Sequence, residues 1–305
     1  MNVLINGASG YIGYHLVQEM LSNGHIVYAV CRNNKGFLAH IPNNERLIII
    51  TCSQEELSKK IKNLQVDVWY QLLWEGACGE LRKSAEVQIK NEIMAANAME
   101  TAYSIGCYKI IHTGTVYEYL ANFILEAENF NGNSFYIIAK KHASEITEQL
   151  AKKLGIKSIW CRFCHPIGRY MNENQMFAYA VKRFISNEMT EFSSCNQYFD
   201  IVSVLDLVRA LRFIGEGIPK KNMYYLGSNS PRKLCEYIEQ AASICGYQQE
   251  IGFGKRNDDG LVFKKEWFDA SDFEREFGAF EHDGFEGGVK NMIHYLGEKF
   301  YEKLL

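Results

Sequence analysis

The chain has 305 residues, with 33 Lys and Arg against 36 Asp and Glu and a formal net charge of -3, so it lacks the basic excess that a phosphate backbone demands and nucleic acid is excluded as a main partner. Hydrophobic residues make up 47% and charged residues 23%, and at roughly 150 residues per domain the length allows two modest domains or one large α/β unit with a sizeable core. No apolar run reaches the roughly 18 residues a bilayer requires, and MNVLINGASG runs into glycines without a basic leader, so a cytoplasmic chain with no membrane span is expected.

In chain order, Asn2 to Asn6 reads as a strand ended by Gly7, followed by a helix from Tyr11 to Leu21 with a stripe of Ile12, Leu16, Met20 and Leu21. The pattern repeats: strands at His25 to Cys31 and Arg46 to Thr51, a helix from Glu55 to Ile61, and an apolar strand from Val66 to Leu73. Long helices at 85–105 and 134–154 precede the strands Tyr108 to His112 and Lys157 to Cys161. Apolar strands alternating with helices imply a doubly wound parallel Rossmann sheet covered on both faces. The expected division is a dinucleotide-binding domain at 1–165 and a smaller mixed α/β substrate lobe at 166–305, with some segments returning to the first. In that lobe helices are expected at 175–185, 204–215, 231–244 and 285–301, and the four prolines (42, 166, 219, 231) fall at loops or helix starts. Nine scattered cysteines, mostly in apolar segments, suit reduced core thiols rather than a disulfide scaffold.

Gly7, Ser9, Gly10, Tyr11, Ile12 and Gly13 lie between the first strand and the first helix and are the candidate phosphate-binding residues. Gly7 suits a tight turn, Gly10 lets the backbone approach a pyrophosphate, Gly13 permits close packing of helix on strand, and the helix N-terminus offers free N–H groups. The second strand ends Ala29-Val30-Cys31-Arg32, with no carboxylate for a ribose diol until Glu45. Arg32 is placed to pair with a 2'-phosphate, which favours NADP over NAD as cofactor; the alternative is a solvated arginine over an NAD that does without its carboxylate.

Tyr136 and Lys140 are four apart and share a helix face, where a neighbouring ammonium favours the phenolate and readies the tyrosine for proton transfer. Thr113 leaves the fifth strand where ligands of doubly wound sheets collect and is the candidate donor to the oxygen that Tyr136 protonates, with Thr115 as its rival. His112 reads as a core residue on the opposite strand face.

Gly7-x-x-Gly10-x-x-Gly13, Thr113 before Val116-Tyr117, Tyr136-x-x-x-Lys140 and Asp200-Ile201-Val202-Ser203-Val204-Leu205-Asp206 together resemble the extended short-chain dehydrogenase/reductases of the NAD-dependent epimerase/dehydratase type, which act on nucleotide sugars. The resemblance covers essentially the whole chain. It implies that Thr113 binds the sugar C4 oxygen, Tyr136 is the acid/base and Lys140 holds the nicotinamide ribose. It also places Leu72, Asn91, Cys164 and Pro166 beside the cofactor and implies a homodimer, for which the long helices carry surplus apolar or small residues such as Ile93, Met94, Ala98, Ala139, Ala143 and Ile146.

Departures narrow the chemistry. Dehydratases of this family carry Asp-Glu after the threonine, where this chain has Gly114-Thr115; Thr51-Cys52-Ser53 replaces the aspartate near the adenine; and Phe199 stands where many relatives have an arginine for the substrate diphosphate, which leaves Arg162 or Arg169 to substitute. Trp74-Glu75-Gly76, with Gly79-Glu80-x-Arg82, resembles a branch of deoxysugar reductases and epimerases and adds Trp74, Glu75 and Arg82 to the candidate substrate residues. Cys161-x-x-Cys164-His165 lacks a second ligand pair, so no metal is expected. The expected function is NADP-dependent reduction at C4 of a nucleotide-linked 4-keto-6-deoxy sugar, with a 4-epimerase or a non-enzymatic dinucleotide-dependent regulator as alternatives.

Overall fold

Short apolar runs closed by Gly or Asn alternate with amphipathic runs from the first residue onward, and the computed structural model, which describes residues 1–32, 35–128 and 130–302, folds them accordingly. The first part runs β1 (Asn2–Asn6), α1 (Tyr11–Ser22), β2 (Ile26–Cys31), β3 (Leu47–Thr51), α2 (Gln54–Ile61), β4 (Val68–Gln71), α3 (Ala85–Ser104), β5 (Lys109–Thr113), α4 (Ala121–Glu126), α5 (Ser134–Leu154) and β6 (Lys157–Arg162). The second runs β7 (His165–Ile167), α6 (Met176–Ile185), β8 (Tyr198–Phe199), β9 (Ile201–Ser203), α7 (Val204–Glu216), β10 (Met223–Tyr225), β11 (Arg232–Lys233), α8 (Leu234–Cys245), α9 (Ser271–Phe277) and α10 (Gly284–Glu302).

Seven strands form one parallel sheet in the order β10-β6-β5-β4-β1-β2-β3. The order reverses between β1 and β4, and the crevice beyond their carboxyl ends is where such sheets bind ligands. Alternate residues of β1 serve the two faces. Val3 and Ile5 pack with Leu16, Val17 and Leu211, while Leu4 packs with Trp69, Met99 and Ile110. Ala95 and Ala143 allow α3 and α5 to lie against each other. Ile89, Ile93 and Ile146 on the same two helices remain exposed.

The later segments build a second core around Phe177, Phe184, Tyr237 and Phe268, yet β10 joins the main sheet beside β6 and α7 packs on α1. Asp206, fully buried, fastens this part by accepting the N–H groups of His282 (2.9 Å) and Gly284 (2.8 Å) at the start of α10, where a carboxylate satisfies otherwise orphaned donors.

The helix expected from Pro231 begins only at Leu234, because Arg232 and Lys233 pair antiparallel with Phe199 and Tyr198. Pro166, expected in a loop, sits in β7, a three-residue strand paired on one side with β9, where a missing N–H is tolerated. α4 and α9, six and seven residues long, escaped the sequence because such short stretches show no helical period. Among the described residues no helix is long and apolar enough to cross a membrane.

Candidate active site

The turn after β1 is drawn tight by its glycines. Gly7 has φ 89°, and a Cβ there would lie 2.8 Å from the Leu73 nitrogen, while one on Gly13 would lie 2.2 Å from the Gly7 oxygen. Backbone therefore packs on backbone from Gly7 to Gly13 and against Leu72 and Leu73. α1 then starts at Tyr11, with Gly10 as its cap, no side-chain cap and no acidic residue in its first turn, so its N–H groups and positive end stay available to an anion. The Tyr11 hydroxyl is buried without a partner, facing Gly168. These features fit the pyrophosphate of a dinucleotide.

Beside the turn, a cavity of about 380 Å³ opens between the ends of β2 and β3, the loop after β4 and α3, lined by Arg32, Ser53, Gln54, Leu73, Glu75 and Asn97 among others. Its place at the switch point suits an adenosine. Glu75, expected among the substrate residues, lies here instead, with Oε1 3.6 Å from Arg32 Nη1.

At the other end, α5 presents Tyr136 and Lys140 one turn apart, both buried. Lys140 Nζ donates to the Thr113 carbonyl oxygen at 2.7 Å and sits 3.7 Å from the centre of the Trp74 ring. Burial, with help from Arg82, pulls its pKa down to about 7 against the opposing pull of Glu118. Burial pushes the Tyr136 phenol up, while the Arg82 guanidinium and a hydrogen bond from Thr115 hold it down. Thr115, the rival of Thr113, is thus the threonine that acts on the phenol's ionisation; Thr113 gives its backbone oxygen to Lys140.

The loop after β4 covers both groups. Trp74 meets Tyr136 edge-on at 6.3 Å, and Arg82 lies over the Tyr136 ring with Cζ 3.8 Å from its centre. Gln88, to which the sequence assigns no role, clasps this loop: its Oε1 accepts from Trp74 Nε1 (2.9 Å) and its Nε2 donates to Gly76 O (3.2 Å) and Leu81 O (3.1 Å). Asn91, expected beside the cofactor, brackets Glu75 by accepting from its N–H at 2.9 Å and donating to its oxygen at 2.8 Å.

Beneath the turn, the fully buried Glu118 carboxylate accepts from Thr115 N (2.7 Å), Trp160 Nε1 (2.9 Å) and Arg162 Nε (2.8 Å). Thr115-x-x-Glu118 is a capping box, a signal present in the sequence that would have marked Glu118 as anchoring this turn. Arg162, expected near the substrate diphosphate, is committed to this buried pair. Arg169 does not join Tyr136 either; its guanidinium lies over Tyr170 (5.0 Å) and its carbonyl accepts from His15 of α1. Gly114 has no room for a side chain, since a Cβ would fall 2.1 Å from Trp160 Nε1 and 2.7 Å from Glu118 Oε1. Cys164 is buried, Pro166 follows in β7, and His165 Nε2 between them is buried without a partner. Among the described residues no cluster of side chains suits a metal ion.

The arrangement combines a glycine turn that could hold a dinucleotide with a buried phenol, a guanidinium over its ring and a lysine one helical turn away, which is equipment for proton transfer next to hydride transfer. CDP-abequose synthase of Salmonella typhimurium is 23% identical over 281 residues, covering 86% of this chain and 88% of that protein. The dTDP-6-deoxy-L-talose 4-dehydrogenase (NAD(+)) of Aggregatibacter actinomycetemcomitans is 24% identical over 251 residues, covering 79% and 89%. Among solved structures, the UDP-N-acetylglucosamine 4-epimerase of Methanobrevibacter ruminantium M1 superposes with a TM-score of 0.82 at 16% identity, covering 98% of each chain, and shares the fold. The model of the NAD dependent epimerase/dehydratase family matches residues 3–227, and the chain belongs to that family.

Proposed function

We propose that the chain is a reductase acting at C4 of a nucleotide-linked 4-keto-6-deoxy sugar, with NADP as its preferred cofactor. The observation that carries this reading is the buried Tyr136 phenol, met by Thr115 and Arg82 with Lys140 one turn away, and no carboxylate at 114 or 115. Dehydration needs an acid and a base of its own, and packing at Gly114 leaves no space for one. Family membership together with Tyr136 and Lys140 favours an enzyme over a purely regulatory binder. Two relatives bear names that speak of nucleotide-linked sugars, one of them a 4-dehydrogenase of a 6-deoxy sugar. Arg32, with no acidic residue at the end of β2, supports NADP, although the family is described as NAD dependent and one relative is named for NAD(+).

When bound, the nicotinamide supplies the hydride. Tyr136 gives its proton to the C4 oxygen as negative charge develops there, and Thr113, at the end of β5, offers that oxygen a hydroxyl donor. Thr115 orients the phenol. Lys140, next to the Trp74 ring, would hold the ribose, and its charge favours the phenolate left behind. Trp74 and Arg82 exclude water from the pair. The exposed Ile89, Ile93 and Ile146 of α3 and α5 support a homodimer through these helices.

The test is NADPH oxidation, followed at the nicotinamide absorbance, with separate CDP-, GDP-, UDP- and dTDP-linked 4-keto-6-deoxyhexoses. One of them is expected to turn over, and Tyr136→Phe to cut the rate about a hundredfold or more with cofactor binding preserved. Failure with all four sugars, or full activity in Tyr136→Phe, overturns the proposal.

A further inference from the structure

A carboxylate at the end of the second strand ordinarily receives the ribose 2'-hydroxyl of NAD, and here that place holds Cys31 and Arg32. A carboxylate from another loop comes within reach of the Arg32 side chain. Glu75 belongs to the loop after β4; its N–H and its carbonyl are both held by Asn91, which is buried on α3 and anchors its backbone. From this fixed base its carboxylate reaches to 3.6 Å from Arg32 Nη1, and the two side chains line the same cavity beside the phosphate-binding turn.

We propose that Glu75 sets the choice between phosphorylated and unphosphorylated nicotinamide dinucleotides, forming with Arg32 a two-sided reader of the adenosine ribose. The inference rests on the reading that the cleft binds such a dinucleotide. A 2'-phosphate competes with Glu75 for the Arg32 fork and then meets the displaced carboxylate as a like charge. A free 2'-hydroxyl donates to Glu75, and Arg32 keeps its partner. The ion pair is too solvent-exposed, at 62% and 42%, to contribute much to folding, so its consequence is felt in ligand choice. Two further charged groups line the cavity. Lys90 faces Glu75 but is paired with Glu86 at 2.6 Å, and Glu55 stands in the first turn of α2.

The experiment titrates NADPH and NADH separately into the purified full chain, reading fluorescence of the bound dihydronicotinamide, for the wild type, Glu75→Gln, Glu55→Gln and Arg32→Ala. Glu75→Gln is expected to tighten NADPH and weaken NADH, each by about fivefold, whereas a purely structural role moves both the same way. Glu55→Gln should change the ratio less than about twofold, and Arg32→Ala should weaken NADPH about tenfold with NADH nearly unchanged. Equal or same-signed changes in Glu75→Gln, or the split appearing in Glu55→Gln instead, overturn the assignment. Absence of saturable binding of either dinucleotide to the wild type overturns the underlying dinucleotide reading, and with it this one.

Discussion

The guanidinium carbon of Arg82 lies 3.8 Å from the centre of the Tyr136 ring and 5.0 Å from that of Tyr117, so the loop after β4 lays a cation on the phenol we propose as the acid. Burial raises the phenol pKa and Arg82 opposes it. Arg82→Met is therefore expected to move Tyr136 ionisation to higher pH and to cut turnover by about tenfold, a cation–π contact being worth ~1–2 kcal/mol when desolvated. Arg82→Lys should recover part of both. Carbon-13 NMR of tyrosine labelled at Cζ, with Tyr136 assigned through Tyr136→Phe, reads the ionisation without any substrate; an unshifted titration would contradict the role.

Glu118 and Arg162 form a buried pair at 2.8 Å, with side chains 0% and 6% exposed. Removing one partner strands the other charge in the core. Glu118→Gln is expected to cost about 3–5 kcal/mol in urea unfolding, and Glu118→Gln combined with Arg162→Met to recover much of that loss. Additive losses in the double variant would count against the pair as a unit.

Burial lowers the pKa of His112 to about 3 and of His15 and His165 to about 4. The unfolded rings, titrating near pH 6.5, bind protons that the folded ones refuse, so stability is full above that value and falls as the pH drops toward 4. By pH 5 each ring is expected to withdraw about 2 kcal/mol. Thermal melts from pH 7.5 to 5 should show a steep loss of Tm, reduced in His112→Gln relative to wild type; a flat profile would show that the rings are not held neutral.

Cys78 is the one exposed thiol among the nine cysteines, on the loop that covers Tyr136, with its sulfur accepting from Asn172 Nδ2 at 3.9 Å. N-ethylmaleimide at one equivalent should label Cys78 first, by peptide mass spectrometry, with activity falling in step. Cys78→Ser should remain active and resist the reagent. Inactivation of Cys78→Ser at the wild-type rate would place the sensitive thiol elsewhere.

Much of this molecule is legible in its sequence because the signals are local. Gly7, Gly10 and Gly13 mark the cradle through backbone demands, and Tyr136 and Lys140 share a helix face by spacing alone. What the sequence withheld depends on tertiary approach. No spacing rule brings Glu75 to Arg32, lays Arg82 on Tyr136, or spends Arg162 on Glu118, since each joins residues from separate segments of the chain. The choice of Thr115 over Thr113 as partner of the phenol turns on the local path of the chain through Gly114, which Trp160 and Glu118 pack too tightly for any side chain. Gln88 is silent in one dimension because a buried glutamine shows its purpose only when Trp74, Gly76 and Leu81 surround its amide.

The most direct test of the central claim is the fate of the hydrogen delivered to C4. With NADPH deuterated at nicotinamide C4 and the 4-keto-6-deoxyhexose nucleotide that turns over, mass spectrometry and proton NMR of the product should show one deuterium, bonded to C4 of the sugar, with one NADPH consumed per sugar reduced. No deuterium on the sugar and no net loss of NADPH with the 4-keto substrate, together with C4 isomer exchange when a 4-hydroxy sugar nucleotide is supplied in its place, would contradict reduction and identify an epimerase.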